Sequence, residues 1–76
     1  MFEKQIFANR LTQLLKQQNI KPSQLAKIAG ITKQSIHTLQ IGKTTPKLET
    51  LYIIADNLNV SIDYLVGRTD NPELNK

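Results

Sequence analysis

A chain of 76 residues has room for one small core, and ten Lys and Arg against six Asp and Glu give it a net charge of +4. Apolar residues at 39% suffice for a folded domain, while zero cysteines and one histidine exclude a disulfide framework, a thiolate metal site and a zinc site built on several imidazoles. The longest apolar run, Leu51 to Ala55, is far short of a membrane span and no apolar leader stretch stands at the N-terminus, so a soluble, cytoplasmic protein is expected.

Apolar residues recur at helical spacing in five stretches and alternate over no useful length, which predicts an all-α fold. In the first helix Phe7, Leu11, Leu14 and Leu15 make one stripe, and the helix ends near Asn19. The second starts at Pro22, whose fixed φ suits a first helical position, turns Leu25, Ile28 and Ala29 inward, and stops at Gly30. Gly30, Ile31 and Thr32 form a turn of three residues. Thr32 then caps a third helix, about 32–41, with Ile36, Leu39 and Gln40 on its inner face and Gly42 at its end. A polar loop from Lys43 to Lys47 leads to a fourth helix with Leu51, Ile54, Ala55 and Leu58 inward. Ser61 caps a short fifth helix that carries Ile62, Leu65 and Val66 and closes at Gly67. The domain is accordingly 1–67, and 68–76 is a polar tail expected to fray.

The charges are segregated along the chain. From Lys4 to Lys47 there are eight basic residues (Lys4, Arg10, Lys16, Lys21, Lys27, Lys33, Lys43, Lys47) and no acid, a charge of +8, whereas Leu48 onward carries −3. Scattered lysines are normally a solvated surface, but forty-four residues without an acid are the footprint of a domain that binds a polyanion such as nucleic acid.

The informative spacing lies in residues 22–41, PSQLAKIAGITKQSIHTLQI. Two short helices joined by three residues cross steeply, so the first needs a small residue at the crossing, the turn a residue at ease with positive φ, and the second a branched apolar residue as a lock. Ala26, Gly30 and Ile36 supply these. With LAKIAGITKQSI, the IGKTTP loop, LETLYIIADNLNVS and the ending DYLVGRTDNPE in this order, Arg10 to Arg68 resembles the Cro and phage-repressor (Xre) type of helix-turn-helix regulators, in particular small repressors of phages and mobile elements of low-GC Gram-positive bacteria.

That resemblance implies a compact five-helix, lambda-repressor-like DNA-binding domain whose third helix lies in the major groove. Carried over by position, the base readers are Lys33, Gln34, Ser35 and Thr38, residue types able to pair with adenine, donate to guanine or touch a thymine methyl. The phosphate contacts are Lys21, Ser23, Lys43 and Thr44, helped by unpaired amides at the start of the second helix. Relatives imply a two-fold dimer on a near-palindromic operator, for which Ile62, Tyr64 and Val66 are the surface candidates unless the small core uses them.

The chain departs from the family pattern in places. Pro22 replaces a Gln that grips phosphate, and Lys21 replaces a Ser or Thr cap. Gln40 replaces a Glu that pairs with an Arg on the first helix, so Arg10 is expected to face Gln40 with its charge uncompensated and to add to the attraction for phosphate. His37 belongs to the outer side of the third helix. Ile41 is apolar where a polar residue would be expected, and it either touches a thymine methyl or covers the end of the core.

Catalysis has little to work with: no Cys, one His and no phosphate-cradling Gly cluster, so neither an enzyme nor a cofactor or small-molecule ligand is expected. Two other functions suit the same fold. An antitoxin would bind its own promoter and a toxin protein, and a protein-interaction module would have an apolar or acidic third helix, which this chain lacks.

Overall fold

The computed structural model describes residues 3–73, so residues 1 and 2 of the expected domain and 74–76 of the expected tail lie outside it. The elements are α1 (Lys4–Gln17), α2 (Pro22–Ala29), α3 (Lys33–Gln40), α4 (Leu48–Leu58) and α5 (Ile62–Leu65), with no strand among the described residues. Each helix turns its apolar stripe to a shared centre, where Phe7, Leu11, Leu25, Ile36, Ile54, Leu58 and Leu65 are fully buried. α2 packs on α3 and α4, while α1 lies behind α3 and reaches α5.

Short helices need tight reversals, and the chain makes all five in one way. Each helix is followed by a residue in the left-handed region: Asn19 (φ 57°), Gly30 (71°), Gly42 (75°), Asn59 (59°) and Gly67 (85°). The next amide donates to the carbonyl five residues back: Ile20 to Leu15 (2.9 Å), Ile31 to Ala26 (3.0 Å), Lys43 to Thr38 (3.0 Å), Val60 to Ala55 (3.1 Å) and Arg68 to Asp63 (2.8 Å). This Schellman closure satisfies a last-turn carbonyl and turns the chain at once. In three cases the donor is apolar, and Ile20, Ile31 and Val60 fold back onto the core. At the other ends Thr32 Oγ1 accepts from the Ser35 amide and Ser61 Oγ from the Tyr64 amide, both at 3.0 Å, as expected of N-caps.

Three positions depart from expectation. Ile28 is 51% exposed, because the buried face of α2 is centred on Leu25, Ala26 and Ala29. The two alanines leave too little side chain to hold the neighbouring helices off, so the stripe rotates toward them and carries Ile28 to the edge. Gln40 is half-buried at the rim of α3.

Arg10 points to the C-terminal segment. Its Nη1 donates to the carbonyls of Tyr64 and of Thr69 (2.7 Å to the latter), its Nη2 meets Asp70 Oδ1 at 2.9 Å, and the guanidinium lies 4.2 Å over the Tyr64 ring. With Gln40 offering no charge on α3, the cation finds its carboxylate sixty residues away in sequence, on Asp70. Its charge, expected to be uncompensated, is therefore paired, with two part-buried bonds to carbonyls and one exposed bond to Asp70. The segment expected to fray is held as far as it is described, since the Ser61 amide also donates to the Pro72 carbonyl at 3.0 Å.

The two halves of this clasp differ in weight. The Arg10 side chain is only 19% exposed and its carbonyl bonds are shielded, whereas Asp70 is fully in solvent, where an ion pair adds little. Arg10→Met should lower the unfolding free energy in urea by about 2 kcal/mol through lost charged hydrogen bonds and ring contact, while Asp70→Asn should leave the midpoint unchanged.

Candidate nucleic-acid interface

α2, the turn and α3 form a helix-turn-helix held from below. Gly30 takes the left-handed conformation at the turn with no atom within 4 Å of where a Cβ would stand, so glycine is required here by backbone conformation and not by crowding. Ala26 is buried at the crossing, Ile36 is fully buried, and Leu39 is nearly so. These fix α3 with its opposite side outward. On that side stand Lys33, Gln34 and Ser35, all exposed, and Thr38, half-buried. His37 and Ile41 are exposed there too, His37 toward the Lys33 side. Ile41 is 52% exposed and is not one of the buried residues that form the core.

At the start of α2 most amides are already taken. The Gln24 and Leu25 amides donate to the Lys21 carbonyl at 2.9 and 3.2 Å, the Lys21 amide donates to Gln24 Oε1 at 2.9 Å, and Pro22 has none. The anion-binding potential expected of this helix start thus narrows to the amide and hydroxyl of Ser23, beside the exposed Lys21.

A chain of hydroxyls runs along one flank of α3 into the following loop. The Thr32 hydroxyl lies 2.9 Å from Ser35 Oγ, Thr38 Oγ1 donates to the Ser35 carbonyl at 2.9 Å, and Thr44 Oγ1 lies 3.0 Å from Thr38 Oγ1. A carbonyl can only accept, so the single proton of Thr38 is engaged and Thr44 must be the donor between the two threonines. The Lys43 and Thr44 amides both donate to the Thr38 carbonyl, at 3.0 and 3.4 Å.

The Thr44 hydroxyl and amide thus both bond back to Thr38, so this residue, expected at a phosphate, also ties the loop to α3. Lys43 differs, because its exposed ammonium keeps all its donors.

Ile62, Tyr64 and Val66 are each half-buried against the core, and the Tyr64 ring carries Arg10. The large apolar side chains most open to solvent are on α4: Leu48 at 77% and Tyr52 at 63%. Their spacing, four apart and off the Leu51–Ile54–Leu58 stripe, was the sequence signal for this patch. Among the described residues no helix is long and apolar enough to cross a membrane, and no three His, Cys, Asp or Glu gather as a metal site.

Two short helices at a left-handed turn, with an outward polar face on the second, define a helix-turn-helix protein. Residues 11–65 match the helix-turn-helix model HTH_3, and the chain belongs to this Xre/Cro-type family of DNA-binding transcriptional regulators, which are not enzymes. It is 37% identical over 68 residues to YobD, an uncharacterized HTH-type transcriptional regulator of Bacillus subtilis (strain 168), covering 90% of this chain and 61% of that protein. It is 33% identical over 64 residues to the SPbeta prophage-derived regulator YonR of the same organism, covering 84% and 59%. The chain thus spans about three fifths of these relatives. Among solved structures it resembles an HTH_3 family transcriptional regulator from Vibrio cholerae, with TM-score 0.73, 26% identity, and coverage of 87% of this chain and 37% of the other. The fold also matches the SOS-response transcriptional repressor LexA from Eubacterium rectale, with TM-score 0.80, 23% identity, and coverage of 97% and 76%.

The two loop residues should separate in a salt titration of DNA binding. Lys43→Ala should lower affinity for all sequences alike and reduce the slope of log K against log salt by about one unit, whereas Thr44→Val should leave the slope unchanged.

Proposed function

We propose that this protein is a sequence-specific double-stranded DNA-binding repressor that reads the major groove with α3. The observation that carries this is the coincidence of two features: the outward face of α3 is free of acid and polar up to Ile41 at its end, and it lies within the stretch from Lys4 to Lys47 that has no Asp or Glu. The cations Lys21, Lys33 and Lys43, just before α2, at the start of α3 and in the loop after it, are exposed and available to the phosphates of a duplex. Lys33, Gln34 and Ser35 read bases from the N-terminal half of α3. Lys21, Ser23 and Lys43 hold the phosphates on either side.

The operator is near-palindromic and the protein binds it as a two-fold dimer, with half-sites about 34 Å apart. Ile62, Tyr64 and Val66 lie mostly against their own core, so Leu48 and Tyr52 are the larger apolar surface open to a second copy. The prophage-derived relative supports a phage or mobile-element setting.

Selection of bound DNA from a random pool, followed by binding across a salt series, tests the reading. A defined two-fold site and a steep fall in affinity with salt are expected; no enriched sequence, or a flat salt response, would overturn it. On the selected site, Gln34→Ala should cost about 1–3 kcal/mol at one base position and relax the preference there. Sedimentation on that site should give two protein chains per duplex.

A further inference from the structure

The outer ridge of α3 changes chemistry halfway along. Gln34 stands directly opposite the buried Ile36 and Leu39, and the ridge continues through Thr38 to Ile41. At Gln34 the ridge presents an amide able to donate and accept. At Thr38 the only hydroxyl proton is directed back to the Ser35 carbonyl, and one lone pair is filled by Thr44, so the side chain keeps a methyl group and an acceptor but no donor. At Ile41 the side chain is wholly hydrocarbon, half in solvent, and outside the buried core cluster. His37, the nearest polar neighbour, stands on the other side of the ridge beside Lys33.

An exposed isoleucine, and a threonine that offers a methyl group and no free proton, are suited to an apolar group opposite them on the face of a helix that enters a groove. In the major groove the base pairs offer one such group, the C5-methyl of thymine. We infer that Thr38 and Ile41 read thymine methyl groups, so that the C-terminal half of α3 selects thymine by apolar contact while the N-terminal half selects by hydrogen bonds. Thr44 acts as a positioning residue, because its hydroxyl fixes the polarity of Thr38. At 1.5 Å per residue, Thr38 and Ile41 lie about 6 and 10 Å beyond Gln34, which places the thymines roughly two and three base steps along from the base that Gln34 reads. This rests on α3 being the groove helix, as proposed above.

The test uses the whole chain and the site obtained by selection, with each thymine replaced in turn by deoxyuridine, which removes the methyl and keeps every hydrogen-bonding group. Two thymine positions in each half-site should lose about fourfold in affinity, the value of one buried methyl. In Ile41→Ala the farther position should become indifferent to the replacement. In Thr38→Ser, which keeps the hydroxyl bonds and removes the methyl, the nearer one should do so.

If no deoxyuridine replacement weakens the wild type, the inference is overturned. If sensitivity survives unchanged in one variant, that residue's assignment is overturned. A pool that yields no site would instead defeat the reading as a sequence-specific binder, so the two failures are distinguishable.

Discussion

Each helix of this protein ends at a residue with left-handed backbone, and the amide that follows it closes on the carbonyl five residues back. Helices of four to fourteen residues are too short to hold their conformation alone, and they persist by packing on one another. That is feasible only if the chain can reverse within a few residues and bring the next stripe onto the same centre. The closure provides the reversal and also sets the direction of exit. At Gly30 this direction determines how α3 crosses α2, and with it which side chains face outward.

Much of this was legible in the sequence. The stripes Phe7–Leu11–Leu14–Leu15 and Leu51–Ile54–Ala55–Leu58 are buried as their spacing implied, and Gly30, Gly42 and Gly67 mark three of the reversals. Asn19 was legible as the end of the first helix, whereas Asn59 performs the same reversal unannounced, because asparagine is so common on exposed helices that it does not by itself stand out as a terminus. Ile28 was misread because periodicity weighs hydrophobicity alone, whereas the approach of helices at Ala26 and Ala29 is decided by side-chain size.

The partners of Arg10 were out of reach for a different reason. The pattern of a helix records which face is buried and holds nothing about a carboxylate on a segment sixty residues on. The site was legible to a similar depth. Exposure of Lys33, Gln34 and Ser35 follows from helical phase, but the direction of the Thr44 to Thr38 hydrogen bond depends on the Ser35 carbonyl, and three-dimensional placement alone reveals it. Residue type suggested Thr44 as a donor to phosphate, and its bond to Thr38 adds a bracing role that residue type does not reveal.

The two sides of α3 stand under unequal constraint. Ile36 is sealed in the core, where truncation to alanine would cost about 2–5 kcal/mol, a large part of what a domain of this size can spare. Ile41, one turn and a little farther on, is half in water and outside the buried core. Descendants of this protein can therefore try new residues at 34 and 41 with less risk to folding than at 36, and under the proposed readout each trial alters the DNA that is favoured. Under that readout, divergence of binding preference within a constant scaffold follows from this division of α3 and its closing residue into a fixed side and a replaceable one.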